Sequence, residues 1–335
     1  MVSPMRPDHR RLLLLTALAL AGCASDPAPR PWAETATREL HLSLAGFEVQ
    51  GRRVNATRSA GAAANQPVIV YLPGLGQGSQ AQDSGQRWAA AWAQAGYTVL
   101  AVQPLEADAA AWRSELARSG EFRALGLLHY GDTLRAERLA ALRRLLPALR
   151  AAQPALDWGH AALAGYETGA QTALDARADP GWQAVIAISP PAMQAPADGA
   201  ATLLLTSDLD QDPLGLLRGP AERRQAFDGF APGTAWLLTL AGVSHAALAG
   251  TLAPEGWHAQ DQHRTAPAGL GRGRGGGEGG GLPGPAGGGA RGPRSGSATE
   301  AAQTDMSEAL RLSTAFLKAQ LRGAAMPASP ALRAR

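Results

Sequence analysis

The feature that most constrains this chain is an alternation of short apolar runs with longer amphipathic stretches. Val68–Leu72, Tyr97–Val102, Ala161–Gly165, Ala184–Ser189, Thr202–Thr206 and Ala235–Leu240 are short runs rich in Val, Ile, Leu and Ala. Runs of that length bounded by polar and turn residues fit strands buried on both faces. Between them, Asp83–Ala95 carries Trp88 and Trp92 four residues apart, Leu134–Ala151 is amphipathic with an arginine-lined face, and Ala170–Arg177 continues a strand as a helix. Upstream, Leu40–Gln50 alternates and is expected to pair with a second strand over Arg52–Arg58. Strand, helix, strand in this repetition predicts an α/β fold. Its mostly parallel sheet is covered by helices on both faces, and ligands sit beyond the carboxyl ends of the strands.

Composition narrows the function classes. At 45% hydrophobic and 18% charged residues, the chain has a core to bury and is neither wholly disordered nor a many-helix membrane protein. Basic residues number 31 against 28 acidic, for a formal charge of +3, and Lys318 is the single lysine. No basic stripe is interleaved with aromatics, so nucleic acid is not the expected partner and a small molecule is. Of the 40 glycines, 15 fall between Gly269 and Gly296. Residues Thr265–Thr299 lack apolar periodicity and cannot offset the entropy of ordering, which predicts a disordered insertion. Its Arg272, Arg274, Arg291 and Arg294 read as a solvated loop, with RNA or anionic lipid headgroups as the alternative. Helical spacing returns over Asp305–Leu321, where Met306, Leu310, Leu312, Phe316, Leu317 and Leu321 form an apolar face. His258, Asp261 and His263 border the insertion without a fourth partner of recognisable spacing, so neither a metal nor a cofactor is expected.

At the N-terminus, Arg6, His9, Arg10 and Arg11 precede the apolar run Leu12–Leu20, which is too short to span a bilayer and is shaped like a secretory signal. It leads into Leu20-Ala21-Gly22-Cys23, which resembles the lipobox of bacterial lipoproteins. That resemblance implies lipidation of Cys23, and Ala24 in place of aspartate implies the periplasmic face of the outer membrane. Cys23 is the sole cysteine, so no disulfide forms within the chain. The expected organisation is a signal peptide over 1–22, a tether over 23–38 and a catalytic-type domain over 39–264. The insertion at 265–299, a returning helix over 300–325 and a tail over 326–335 complete it.

One turn carries chemistry. Gly165-Tyr166-Glu167-Thr168-Gly169 lies between the strand Ala161–Gly165 and the helix from Ala170, in the G-x-S-x-G form of a nucleophile elbow, with Glu167 where serine is expected. Here the chain resembles the α/β-hydrolase superfamily, and within it bacterial hydrolases similar to dienelactone hydrolase and platelet-activating-factor acetylhydrolase. The resemblance covers roughly Pro67–Gly250 and the final helix. It implies that the loop Pro73–Ser79 supplies half of an oxyanion hole from the amides of Leu75 and Gly76, with Thr168 supplying the other half. It places the acid at Asp210, with Asp208 and Asp212 as alternatives, and the base at His245. The resulting order Glu167, Asp210, His245 implies hydrolysis of an ester or related small molecule. A glutamate, however, offers His245 no hydroxyl proton to remove. Three readings stay open: Glu167 as a carbon-attacking nucleophile, like the aspartate of haloalkane dehalogenases and epoxide hydrolases; Glu167 as a general base or ligand-orienting group; or a degenerate site that binds without turnover. The stretch Leu105–Gly131, with Trp112, Phe122 and Tyr130, is expected to shape the pocket or add to the core. Of the replacement serines, Ser189 ends a strand beside the elbow and reads as a residue bonding local backbone, and Ser79 and Ser244 rank no higher.

Overall fold

The computed structural model describes residues 42–78, 85–250 and 296–335. The signal-like run, Cys23, the tether, Ser79, the His258–Asp261–His263 group and residues 265–295 of the glycine-rich insertion lie outside these.

The strands are β1 (Leu42–Val49), β2 (Arg52–Ser59), β3 (Pro67–Leu72), β4 (Thr98–Val102), β5 (Asp157–Tyr166), β6 (Ala184–Ile188), β7 (Ala201–Leu209), β8 (Ala235–Ser244) and β9 (Leu332–Ala334). They form one sheet in the order β1-β2-β4-β3-β5-β6-β7-β8-β9. From β4 through β3, β5, β6 and β7 to β8 every pairing is parallel, whereas β2 runs antiparallel to both β1 and β4. The helices are α1 (Gln86–Gln94), α2 (Glu106–Ala110), α3 (Glu115–Arg118), α4 (Phe122–Tyr130), α5 (Asp132–Ala152), α6 (Thr168–Asp175), α7 (Gln225–Gly229), α8 (His245–Leu248) and α9 (Gly296–Arg322).

Strand periodicity sorts the core into two layers. Val68, Val70 and Leu72 of β3 point to one face, where they join Leu142, Leu145 and Leu149 of α5, Ala173 and Leu174 of α6 and Phe227 of α7. Ile69 and Tyr71 point to the other, joining Trp88 and Trp92 of α1 and Leu312, Phe316 and Leu317 of α9. All are buried. The predicted alternation of strands and helices is therefore observed, and the returning helix packs on the sheet as its apolar face requires.

The differences are informative. Helix α9 begins at Gly296, inside the stretch assigned to the insertion, although Gly296 and Ser297 are weak helix formers. The expected tail contains β9, which pairs antiparallel with β8 through Trp236↔Ala334 and Leu238↔Leu332. Leu105–Gly131 folds into α2, a 3₁₀ turn at Ala111–Arg113, α3 and α4, each too short for periodicity to announce it. These segments sit over the loop after β3: Ala111 and Leu125 pack with Leu75 and Leu214, and Phe122 and Tyr130 lie against them. Trp112 tilts against Phe122 at 6.1 Å between ring centroids, and its indole N–H donates to the Leu75 carbonyl at 3.1 Å. Of the three aromatics, Trp112 thus pins the loop from outside.

Candidate active site

The elbow forms because β5 and α6 must approach closely at their junction. A Cβ on Gly165 would lie 2.3 Å from the backbone of Gly169, and one on Gly169 would lie 2.1 Å from the Leu72 carbonyl oxygen. Only glycine fits either position. Between them Glu167 is held at φ 50°, ψ −114°, a left-handed conformation that costs a branched or long side chain about 1–3 kcal/mol. Among the described residues, the positive-φ positions that are not glycine are Gln50, Glu167 and Ser189. Two of these three meet at one site, and backbone strain of this kind clusters at functional positions.

Glu167, Asp210 and His245 are brought together there, all buried. Glu167 Oε1 lies 2.6 Å from His245 Nε2, and His245 Nδ1 lies 2.7 Å from Asp210 Oδ1. The second oxygen, Oε2, accepts the Leu75 N–H at 3.0 Å. Room for that contact exists because Gly74 has no side chain; a Cβ there would stand 2.6 Å from Oε2. The extra methylene of glutamate therefore carries its carboxylate across the site, from the imidazole to the amide loop.

The oxyanion-hole amides divide differently from expectation. Leu75 faces the elbow, but the Gly76 N–H donates to the Asp108 carbonyl at 2.7 Å, so that amide is committed to holding the loop and not to the hole. Thr168 opens α6 directly after Glu167, where the first amides of a helix have no partner within the helix. Its hydroxyl is buried without a hydrogen-bond partner.

Of the three candidate acids, Asp210 is the one on His245. Asp208 is exposed and accepts the Gly242 N–H, and Asp212 caps its own loop by accepting the amides of Leu214, Leu216 and Leu217. Asp210 is fully buried and saturated: Oδ1 also receives Ser189 Oγ at 2.8 Å, and Oδ2 receives Thr206 Oγ1 at 2.8 Å. Arg223, from the 3₁₀ turn Pro220–Arg224, places Nε 3.0 Å from Asp210 Oδ1 and Nη2 3.4 Å from His245 Nδ1. Burial alone would raise the Asp210 carboxyl, but the His245 bond and the Arg223 charge outweigh it and hold the carboxyl below its usual range. Burial likewise pushes His245 down, yet its bonds to Asp210 and Glu167 and the Glu167 charge leave it above the ordinary histidine value. The Tyr166 hydroxyl donates to the His245 carbonyl at 2.9 Å, fixing the imidazole's backbone.

Ser189 does not bond local backbone through its side chain, as its strand-end position suggests. Its hydroxyl lies 3.0 Å from His245 Nδ1, on the Asp210 side of the ring, fully buried and donating to Asp210 Oδ1. Ser244 caps α8 through the Ala247 N–H. Sequence reasoning missed the parts played by Tyr166, which stands inside the elbow beside Glu167, by Thr206, four residues before Asp210, and by Arg223, which lies at no recognisable spacing from either.

A second buried cluster lies behind the hole. Asp108 receives Arg138 Nη1 on both oxygens, at 3.2 and 3.1 Å, and His129 Nδ1 at 2.7 Å. Arg138 continues to Gln171 Oε1 and Thr172 Oγ1 of α6, and Thr172 donates to the Thr168 carbonyl. One ion pair thus ties the loop that carries Leu75 to the helix that starts at the elbow.

No protein-family model matches this sequence, and no curated protein is significantly similar to it. Similar solved structures include the poly(3-hydroxybutyrate) depolymerase LpqC of Bordetella parapertussis, at 17% identity over 69% of this chain and 96% of the other, with a TM-score of 0.42. A cold-adapted esterase from an Arctic intertidal metagenomic library is 14% identical over 67% of this chain and 93% of its own, at 0.41. Dienelactone hydrolase of Anabaena variabilis is 19% identical over 67% and 94%, at 0.39. The strand order with β2 alone reversed among the first eight, the helices on both faces and the strained turn between β5 and α6 are features of this chain itself, and by them it has the α/β-hydrolase fold.

Proposed function

We propose that the chain is a hydrolase working through a covalent ester on Glu167, and that its substrate is a small molecule with an electrophilic saturated carbon, such as an alkyl halide or epoxide. One observation carries this reading: Glu167 Oε2 is already on the Leu75 amide while Oε1 is on His245 Nε2. In a serine hydrolase that amide receives the substrate's carbonyl oxygen. Here the enzyme's own carboxylate occupies it, which disfavours attack on an acyl ester and suits a cycle in which the acyl group belongs to the enzyme.

In the first step Oε1 forms a bond to the substrate carbon as that carbon's bond to the leaving atom breaks with its electron pair: a halide departs, whereas an epoxide oxygen stays on the substrate and takes a proton from solvent. Oε2 becomes the ester carbonyl oxygen, still on the Leu75 N–H. His245 gives its proton to solvent, then takes one from water as that water adds to the Glu167 carboxyl carbon. The negative charge formed on Oε2 is met by the same amide, with the Thr168 N–H as the second donor. Collapse expels the alcohol with Oε1 and restores the carboxylate; the water's second proton protonates the leaving alkoxide, and His245 remains protonated beside Glu167.

The test is a single turnover in H₂¹⁸O with alkyl halide, epoxide and nitrophenyl ester substrates. Unlabelled product and ¹⁸O in Glu167 are expected; label in the first-turnover product sinks the covalent route. A second reading, a binding module without turnover, is favoured by the 2.6 Å pairing of Glu167 with His245, which satisfies both buried groups without a ligand. Absence of turnover across the panel would decide for it.

The same proposal places the protein at the outer membrane, anchored through acyl chains on Cys23. Leu20-Ala21-Gly22-Cys23 and the following Ala24 support it. Palmitate labelling should vanish in Cys23→Ala; label that persists would overturn the anchor.

A further inference from the structure

The covalent cycle gives Arg223 no task, yet Arg223 is only 3% exposed and sits against the relay. Its guanidinium reaches Asp210 Oδ1 and the Asp210 carbonyl through Nε, both at 3.0 Å, and the carbonyls of Ser189 and Pro190 through Nη1, at 3.1 and 3.2 Å. The oxygen it contacts on the Asp210 side chain is the one bonded to His245.

Counting charge in this buried site exposes a difficulty that Arg223 removes. His245 has a carboxylate on each nitrogen. With both ionised and no cation nearby, the imidazolium would persist even after Glu167 became an ester, because Asp210 would still balance it. A protonated His245 cannot take a proton from water. With Arg223 present the sum changes. Glu167, Asp210, Arg223 and a protonated His245 total zero before the ester forms, and Asp210, Arg223 and a neutral His245 total zero afterwards. The remaining titratable neighbours carry no charge in either state. Tyr166, whose ring lies 5.4 Å from the imidazole, and Tyr130 on α4 are both buried phenols held well above their ordinary value by burial and by the charge of Glu167. Ser189 contributes only its hydroxyl.

We infer that Arg223 is a positioning residue that neutralises Asp210, so that the proton on His245 follows the charge on Glu167: present while Glu167 is a carboxylate, lost once Glu167 is an ester. This rests on the covalent reading of Glu167, but its test does not require turnover. It reads the His245 ring protons by NMR titration of the full-length chain in detergent micelles, with Glu167→Gln as the uncharged stand-in for the ester.

Glu167→Gln should lower the midpoint of His245 by about one pH unit or more, the size of shift a buried opposite charge produces. Adding Arg223→Gln should bring it back up by about as much, because Asp210 then acts alone. Arg223→Lys in the Glu167→Gln background keeps the charge without the guanidinium fork and should stay within about half a unit of Glu167→Gln itself. The inference is overturned if Glu167→Gln and Glu167→Gln/Arg223→Gln titrate together. If the glutamine variant does not fold, the lysine variant decides: a midpoint raised by more than about one unit would mean that Arg223 acts through loop geometry and not charge. A failed ¹⁸O result with these shifts intact would remove the covalent reading and leave the charge coupling standing.

Discussion

Replacing Arg138 with methionine tests whether the buried cluster behind the hole is a strut. Asp108 is fully buried and Arg138 is 1% exposed, so the substitution strands a carboxylate away from water with His129 as its one remaining side-chain partner among the described residues. It also withdraws the donors to Gln171 and Thr172 on α6. Removing one member of a buried ion pair costs about 3–5 kcal/mol, because the other charge stays desolvated. Against a total stability of roughly 5–15 kcal/mol that is a large fraction, and at roughly 2–4 °C per kcal/mol it lowers the melting temperature by about 6–20 °C. Urea unfolding followed by circular dichroism measures it, with an unchanged slope required for the comparison. The companion variant Asp108→Leu/Arg138→Met removes both charges and should be more stable than Arg138→Met by about 2 kcal/mol, since apolar replacement of a whole pair is often near neutral. A loss below about 1 kcal/mol in the single variant, or a double variant no better than the single, would refute the claim that this pair carries the connection.

Two further outcomes follow from the site. Glu167→Ser frees the Leu75 amide and returns a hydroxyl to the elbow, so a nitrophenyl acetate assay should detect esterase activity that disappears in the added His245→Ala change; a folded variant with no such activity would mean the hole or the relay is not competent. Stability should also carry the mark of the relay. The depressed Asp210 contributes stability above its unfolded value near 3.9 that is lost as pH falls through its lower folded value. The raised His245 contributes stability below about 6.5 that is lost as pH rises through its higher folded value. The advantage of wild type over Glu167→Gln in urea unfolding should therefore be present near pH 6 and shrink toward pH 9; a constant difference would deny the coupling.

How much of this was legible depended on the physics of each segment. Buried parallel strands announce themselves because both faces need apolar side chains, so β3 through β8 could be read as runs, and α5 and α9 are long enough for their periodicity to emerge. The segments α2 to α4 are not, and β9 pairs through a three-residue strand that carries no pattern of its own. The elbow was visible because Gly165 and Gly169 answer a steric demand that acts within five residues of chain. The order Glu167, Asp210, His245 could be read once the elbow was found. Arg223 and Tyr166 could not, because what they do depends on where distant segments meet at the carboxyl end of the sheet, and the local bond of Thr206 to Asp210 follows no pattern that sequence announces. Gly76 misled for a similar reason: its amide looks available until the Asp108 carbonyl is seen on it.

What the sequence left open at Glu167 is narrowed by one length. Measured against an aspartate, the additional methylene moves the carboxylate by about an ångström, where nucleophile geometry must hold to roughly half that. In place, that methylene lets the carboxylate touch the Leu75 amide and the imidazole together. The same reach leaves no gap between Oε1 and Nε2 for water, so His245 can meet water only after Oε1 has turned to a substrate carbon. On the proposed covalent route, order in the reaction would then come from geometry: ester formation would precede water activation, because the group that excludes water is the one the substrate consumes.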